Sequence, residues 1–218
     1  MKKETKGFIL CTILIILSIL FTILVLNFDV KPVGPNGSNV GFATINIKVA
    51  QYIGSNMTWY NITGVLGILP MLIVAIYGIL GIIELVKRKS ILKVDFEIIL
   101  LGVFYVIIGI LYLFFEKFIL NYRPILIDGM LEASYPSSHT MMAIFICLSA
   151  NIVNKSLIKD NKLRTIFNIV SLITLFVIVI LRIISGVHWC SDIVGGVIIS
   201  LTLIVIFNTV LKLKKSKD

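Results

Sequence analysis

An all-α, polytopic membrane protein with six transmembrane helices is the fold this sequence predicts, and three observations carry the prediction. The 218 residues are 58% hydrophobic and only 14% charged. Their mean hydropathy of +1.06 is far too apolar for a water-soluble domain. Several stretches approach the roughly 20 apolar residues that a helix needs to cross a hydrocarbon core, and the basic residues cluster beside them.

The first span is read at residues 7–28, behind Lys2, Lys3 and Lys6. It is too long for a signal-peptide core and lacks a small-residue exit, so it is expected to be retained. The others are read at 65–86, 98–115, 137–153, 165–184 and 193–213, all within one membrane domain. The fourth is the weakest, because its unbroken apolar part begins only at Thr140. Between the first two spans, residues 29–60 are rich in Gly, Asn and Pro and read as exposed and irregular.

Charge sets the expected sidedness. With the N-terminus inside, 15 of the 20 basic residues fall in cytoplasmic segments, and Lys31, Lys48, Lys117, Arg123 and Arg182 fall outside. That alternation matches the positive-inside rule for six spans and puts both termini in the cytoplasm. It also explains the net charge of +9 without nucleic acid, for which there is no separate basic domain. Cys11, Cys147 and Cys190 form neither a disulfide framework nor a zinc pattern. Lysine outnumbers arginine, and Ile and Asn are abundant, a composition that suggests a bacterial plasma membrane. The sequons at Asn56 and Asn61 are then chance.

Both histidines, His139 and His188, sit at the outer ends of the later spans together with Lys117, Arg123 and Arg182. Ionisable groups near hydrocarbon are expensive and mark function. Several cations and two imidazoles, without a carboxylate cluster for a metal, suit phosphoryl transfer, in which negative charge spreads over oxygens and must be met by fixed donors.

Three segments carry a family resemblance: Lys117-Phe-Ile-Leu-Asn-Tyr-Arg123-Pro124, Pro136-Ser137-Ser138-His139, and Arg182-Ile-Ile-Ser-Gly-Val-His188-Trp-Cys-Ser-Asp192. They resemble the signatures K-x6-R-P, P-S-G-H and S-R-x5-H-x3-D of the type 2 phosphatidic acid phosphatase (PAP2) family, which includes bacterial undecaprenyl-diphosphate phosphatases. The resemblance implies a lipid phosphatase that works without metal or cofactor on a lipid phosphate or polyprenyl diphosphate in the bilayer. It implies His188 as nucleophile, Asp192 orienting it by accepting from its ring, and His139 as general acid. Lys117, Arg123, Ser137, Ser138 and Arg182 then bind phosphate.

The sequence departs from the pattern in three places. Five residues, not six, separate Lys117 from Arg123; Ser138 replaces a glycine; and Leu181 replaces a serine. Two other readings stay open: a transporter or lipid-binding protein with a His/Asp proton relay, and a catalytically silent family member. Nothing in the sequence selects the lipid or the oligomeric state.

Overall fold

The computed structural model describes residues 3–216. Among them the fold is all-helical, with isolated bridges but no regular strand. The helices are α1 (Lys3–Asn27), α2 (Ala43–Ile53), α3 (Met57–Leu66), α4 (Ile68–Arg88), α5 (Phe96–Lys117), α6 (Ser138–Leu157), α7 (Asn161–Ile184) and α8 (Cys190–Lys215). Six helical segments are long and apolar enough to cross a membrane, α3 and α4 together making the second. The protein is a multi-pass membrane protein.

Helix α6 is the centre of the bundle, packing on α7 and α8, with α1 running along the far side of α8. Of its most apolar 18-residue window, 61% is buried, against 6% for α1. That contrast explains why its hydropathy is weakest. A helix surrounded by protein can carry polar groups, provided they pair with each other. Asn154 donates to the Asn168 side chain at 2.7 Å and accepts from Tyr77. Ser171 donates to Asn151 at 2.6 Å, and Ser200 to the Met141 carbonyl at 3.0 Å. Around these bonds lies an aromatic core. Phe104 stacks on Phe145 at 5.8 Å, and Phe207 meets Phe104 edge-on at 5.4 Å. The exposed Leu, Ile and Val side chains of α1, α4 and α7 face outward, where bilayer lipid covers them.

The segment at 29–60 is more ordered than its composition suggests. It contains α2, which buries Asn46 against α8: the Asn46 amide donates to Ser191 Oγ at 2.9 Å and to the Gly41 carbonyl at 2.8 Å. Gly41 lies against the Val25 carbonyl, where a Cβ would overlap it. One polar anchor and one close backbone approach therefore dock a segment that looks like loop. The second span also starts earlier, at Met57, and turns at Gly67 between α3 and α4.

Two connections at one end of the bundle shape the site. Between α5 and α6 the chain doubles back on an Ile127–Met130 bridge, with positive φ at Asp128 (50°) and Gly129 (78°). Such values suit an Asp-Gly turn. Arg123 N donates to the Glu132 carbonyl (3.1 Å) and Ser134 N to the Asn121 carbonyl (2.9 Å), which sets Arg123 opposite Glu132 and Ser134 opposite Asn121. Between α7 and α8, Gly186 has φ +62° and abuts the Gly54 carbonyl so closely that no Cβ fits. Asn56 N donates to the Ser185 carbonyl at 2.8 Å, tying the same turn to the start of α3.

Candidate active site

His188 lies in the turn between α7 and α8 and is only 8% exposed. Its Nδ1 sits 3.1 Å from the Ser134 carbonyl and 3.0 Å from Ser134 Oγ. The Ser134 hydroxyl donates its one proton to Asp192 Oδ2 at 2.5 Å. Toward His188 both Ser134 oxygens can therefore only accept, which puts the ring proton on Nδ1. Nε2 keeps a lone pair and has no protein partner. Burial, followed by the positive charges of Arg123, Arg182 and His139, holds His188 well below its ordinary value of 6.5. At neutral pH the ring is uncharged, with the Nε2 lone pair available to an electrophile.

Asp192 is fully buried in the first turn of α8. The sequence suggests that it accepts directly from the His188 ring; the structure inserts Ser134 between them. Its carboxylate collects four donors: Ser134 Oγ, Asn121 Nδ2 at 3.1 Å, Trp189 N at 3.0 Å and Ser191 Oγ at 3.4 Å. The aspartate orients the histidine through a serine, and four hydrogen bonds make its buried charge tolerable.

The two arginines share one ring. The Arg123 guanidinium carbon lies 5.4 Å from the centroid of Tyr60 and that of Arg182 lies 5.0 Å away, both within cation–π range. Arg123 is paired with Glu132, Nε to Oε2 at 3.1 Å, without hydrogen-bond geometry, and its Nη1 has no partner. Arg182 is 1% exposed, with Nε and Nη1 both unpartnered. A guanidinium this buried without a carboxylate is costly; its donors are available to an anion.

His139 occupies the first turn of α6, half-buried, with Nδ1 unpartnered. A Cβ on Gly67 would lie 3.2 Å from its ring, so the α3–α4 turn packs closely against it. Ser138 lines a narrow cavity that it shares with His188. Ser137 differs from expectation: it is fully buried and its hydroxyl donates to Thr140 Oγ1 at 3.0 Å. Its hydroxyl is thus occupied, and an anion here would meet the first-turn N–H groups of α6, which have no intrahelical acceptors.

Lys117 is the expected site residue that the structure does not bring in. It ends α5 exposed, and Glu116 lines the His188 cavity instead. One residue on a helix is a rotation of about 100°, and the step of seven back from Arg123 lands on Glu116. Ser134 and Tyr60 are site residues outside the motifs, and Asn121 falls at an unspecified position within the first. Among the described residues, no group of three or more His, Cys, Asp or Glu is placed to hold a metal.

The sequence and the fold have counterparts. A family model described as the PAP2 superfamily matches residues 73–215. The chain is also similar in fold to a transmembrane PAP2-type phosphatidylglycerolphosphate phosphatase from Bacillus subtilis. Identity is 18% and the TM-score 0.54, over 99% of this chain and 98% of that one. No curated protein matches the chain.

Proposed function

The chain belongs to the PAP2 superfamily, and from that membership we propose that it is a metal-independent lipid phosphatase acting through a phosphohistidine. The observation that carries the proposal is an unpartnered His188 Nε2 on a ring that feels the charges of Arg123 and Arg182, whose own donors are partly unpartnered. A lone pair left free beside two buried guanidiniums, of which only Arg123 has a carboxylate against it, suits an electrophilic phosphorus bearing anionic oxygens.

In this reading the phosphate oxygens lie on Arg182, Arg123 and the first-turn amides of α6. His188 Nε2 attacks phosphorus while the bond to the leaving oxygen breaks. The electron pair departs with that oxygen, which takes a proton from His139. The positive charge on the phosphorylated ring is stabilised by Asp192 through Ser134. Water then attacks phosphorus, returns a proton to His139 and releases inorganic phosphate as the P–N bond breaks. The leaving group is a lipid alcohol or a polyprenyl phosphate.

The basic residues favour an active site on the extracytoplasmic face of a bacterial plasma membrane. The test is phosphate release by purified protein from a panel of lipid phosphates and diphosphates, with EDTA present. Turnover of at least one supports the reading. No release from any of them would leave the silent family member as the better description.

A further inference from the structure

At the end of the bundle away from His188, a cleft of about 600 Å³ opens between the start of α1 and the end of α8. Pockets that take small ligands span about 300–1,000 Å³. From Asp192 to Lys212 runs about 30 Å of helix, roughly the thickness of a bilayer's hydrocarbon core. The cleft therefore lies in the opposite leaflet from the catalytic groups, out of reach of a phosphate held at Arg182.

Its walls are graded in polarity. On α8, Lys212, Asn208 and Ile204 line it at steps of four residues, on one helix face and about 6 Å apart along the axis. On the antiparallel α1, Lys6 and Leu10 line it with the same spacing. Each helix thus puts a cation at the mouth and an aliphatic side chain further in. Asn208 lies between these levels, half-buried in a span, and its side chain makes no hydrogen bond among the described residues. An amide without a partner at the edge of hydrocarbon is costly. Lys6 and Lys212 have no anionic partner among the described residues either, whereas Lys215 at the same mouth pairs with Glu97 at 3.1 Å.

A phospholipid carries the complementary order along its length: anionic phosphate, ester carbonyls, then hydrocarbon. The polar interface of a bilayer is roughly 5–8 Å deep on each side, close to one step of this stripe. A second copy of the chain fits less well. The exposed faces of α1, α4 and α7 offer Leu, Ile and Val, and nothing for two lysines and an amide.

We propose that this cleft binds one anionic phospholipid of the leaflet opposite the active site. Its phosphate lies between Lys6 and Lys212, an ester carbonyl accepts from the Asn208 amide, and a chain runs inward over Leu10 and Ile204. Basic pockets between spans hold lipid head groups in this way. Deeper in the bilayer Ser18 and Thr202 join the two helices at 2.7 Å, and Cys11 donates to Thr209 at 3.5 Å. The lipid fastens α1 to α8 beyond the last of these bonds. This site does not depend on the reaction at His188.

The experiment is native mass spectrometry of purified full-length protein, delipidated in detergent and titrated with equimolar phosphatidylglycerol and phosphatidylcholine of identical chains. Both are phosphodiesters, outside the chemistry proposed for the active site. Wild type should bind one phosphatidylglycerol about tenfold more tightly than phosphatidylcholine. Lys6→Gln and Lys212→Gln should each weaken that binding about fivefold, the scale of one basic residue at an anionic surface. Asn208→Leu, which makes the span more apolar, should weaken both lipids, since both carry the same esters. Misfolding of one variant leaves the others to decide. Joint Lys87→Gln and Lys93→Gln removes two charges from the α4–α5 connection at the same end of the bundle and should leave binding unchanged. An equal loss there would make the preference a property of the general basic field and overturn the site. Equal binding of the two lipids by wild type would also overturn it, as would full competition by inorganic phosphate alone. Dimers of delipidated protein that Asn208→Leu disrupts, without lipid selectivity, would give the cleft to a second copy instead.

Discussion

Ser134 holds His188 through two oxygens at once, its carbonyl 3.1 Å and its hydroxyl 3.0 Å from Nδ1. Because that hydroxyl is committed to Asp192, the arrangement works in one tautomer only, with the free lone pair on Nε2. Ser134→Ala should leave the carbonyl contact and the fold intact but cut the link to Asp192. A hydrogen bond to a charged group contributes about 1.5–3 kcal/mol, so kcat should fall by about ten- to a hundredfold with KM little changed. Steady-state phosphate release measures this; unaltered kcat would mean that Asp192 acts on the ring by another route.

The environment of His188 also fixes the direction of its pH dependence. Its folded pKa is depressed, by burial first and by Arg123 next, so the ring stays neutral and nucleophilic to below 6.5. Below that value the unfolded chain takes up a proton that the folded one resists. His188 thus contributes to stability falling as pH drops from about 6.5 and adds no slope at higher pH. Removing a positive neighbour eases protonation. In Arg123→Gln the acid limb of kcat/KM assigned to His188 should shift to higher pH. A profile over pH 4–9 for both proteins measures the shift, and movement the other way would contradict the electrostatic account.

The frame of this site was legible in the sequence, and its grip was not. Arg123, His139, Arg182, His188 and Asp192 are chemically conspicuous in an apolar chain, and the structure gathers them at one end of the bundle. Ser134, Asn121 and Tyr60 do their work through position alone, and nothing in their residue type announces it. Lys117 is one helical step from Glu116 on the face that lines the cavity. The weak hydropathy of α6 was itself a signal. A span that can afford Ser149, Asn151 and Asn154 is enclosed by other helices, and the central helix carries His139.

Topology offers a test independent of catalysis. Glu132 lies in the α5–α6 connection beside the site, and Ile158 follows the opposite end of α6. With the native cysteines replaced, a cysteine at 132 should react with an impermeant thiol reagent on intact cells, and one at 158 only after lysis. The reverse pattern would turn the active site to the cytoplasm.

Metal independence and transition-state mimicry are tested together. In the proposed mechanism Arg123 and Arg182 meet the charge on the reacting phosphate, so turnover should persist in EDTA. Vanadate, whose five-coordinate form copies the phosphoryl transition state, should inhibit competitively. Loss of activity on chelation, restored by a divalent ion, would require a different mechanism.

In the proposed mechanism the two histidines serve different steps, His188 as nucleophile and His139 as general acid. His188→Ala removes the nucleophile, so turnover and covalent labelling should both vanish, for every substrate. His139→Ala removes a proton donor whose assistance is worth about 10²–10⁴-fold, and only where the leaving oxygen needs the proton. A lipid alkoxide needs it; the phenolate of p-nitrophenyl phosphate scarcely does. The His139 variant should therefore recover part of its activity on p-nitrophenyl phosphate, and the His188 variant none. Asp192→Asn should fall between them, since Ser134 still holds the ring by its carbonyl while the negative charge behind it is lost. Rapid-quench trapping with labelled lipid phosphate completes the test, looking for an acid-labile, base-stable phosphoprotein. Labelling that survives in His188→Ala and disappears in His139→Ala would exchange the roles of the two residues.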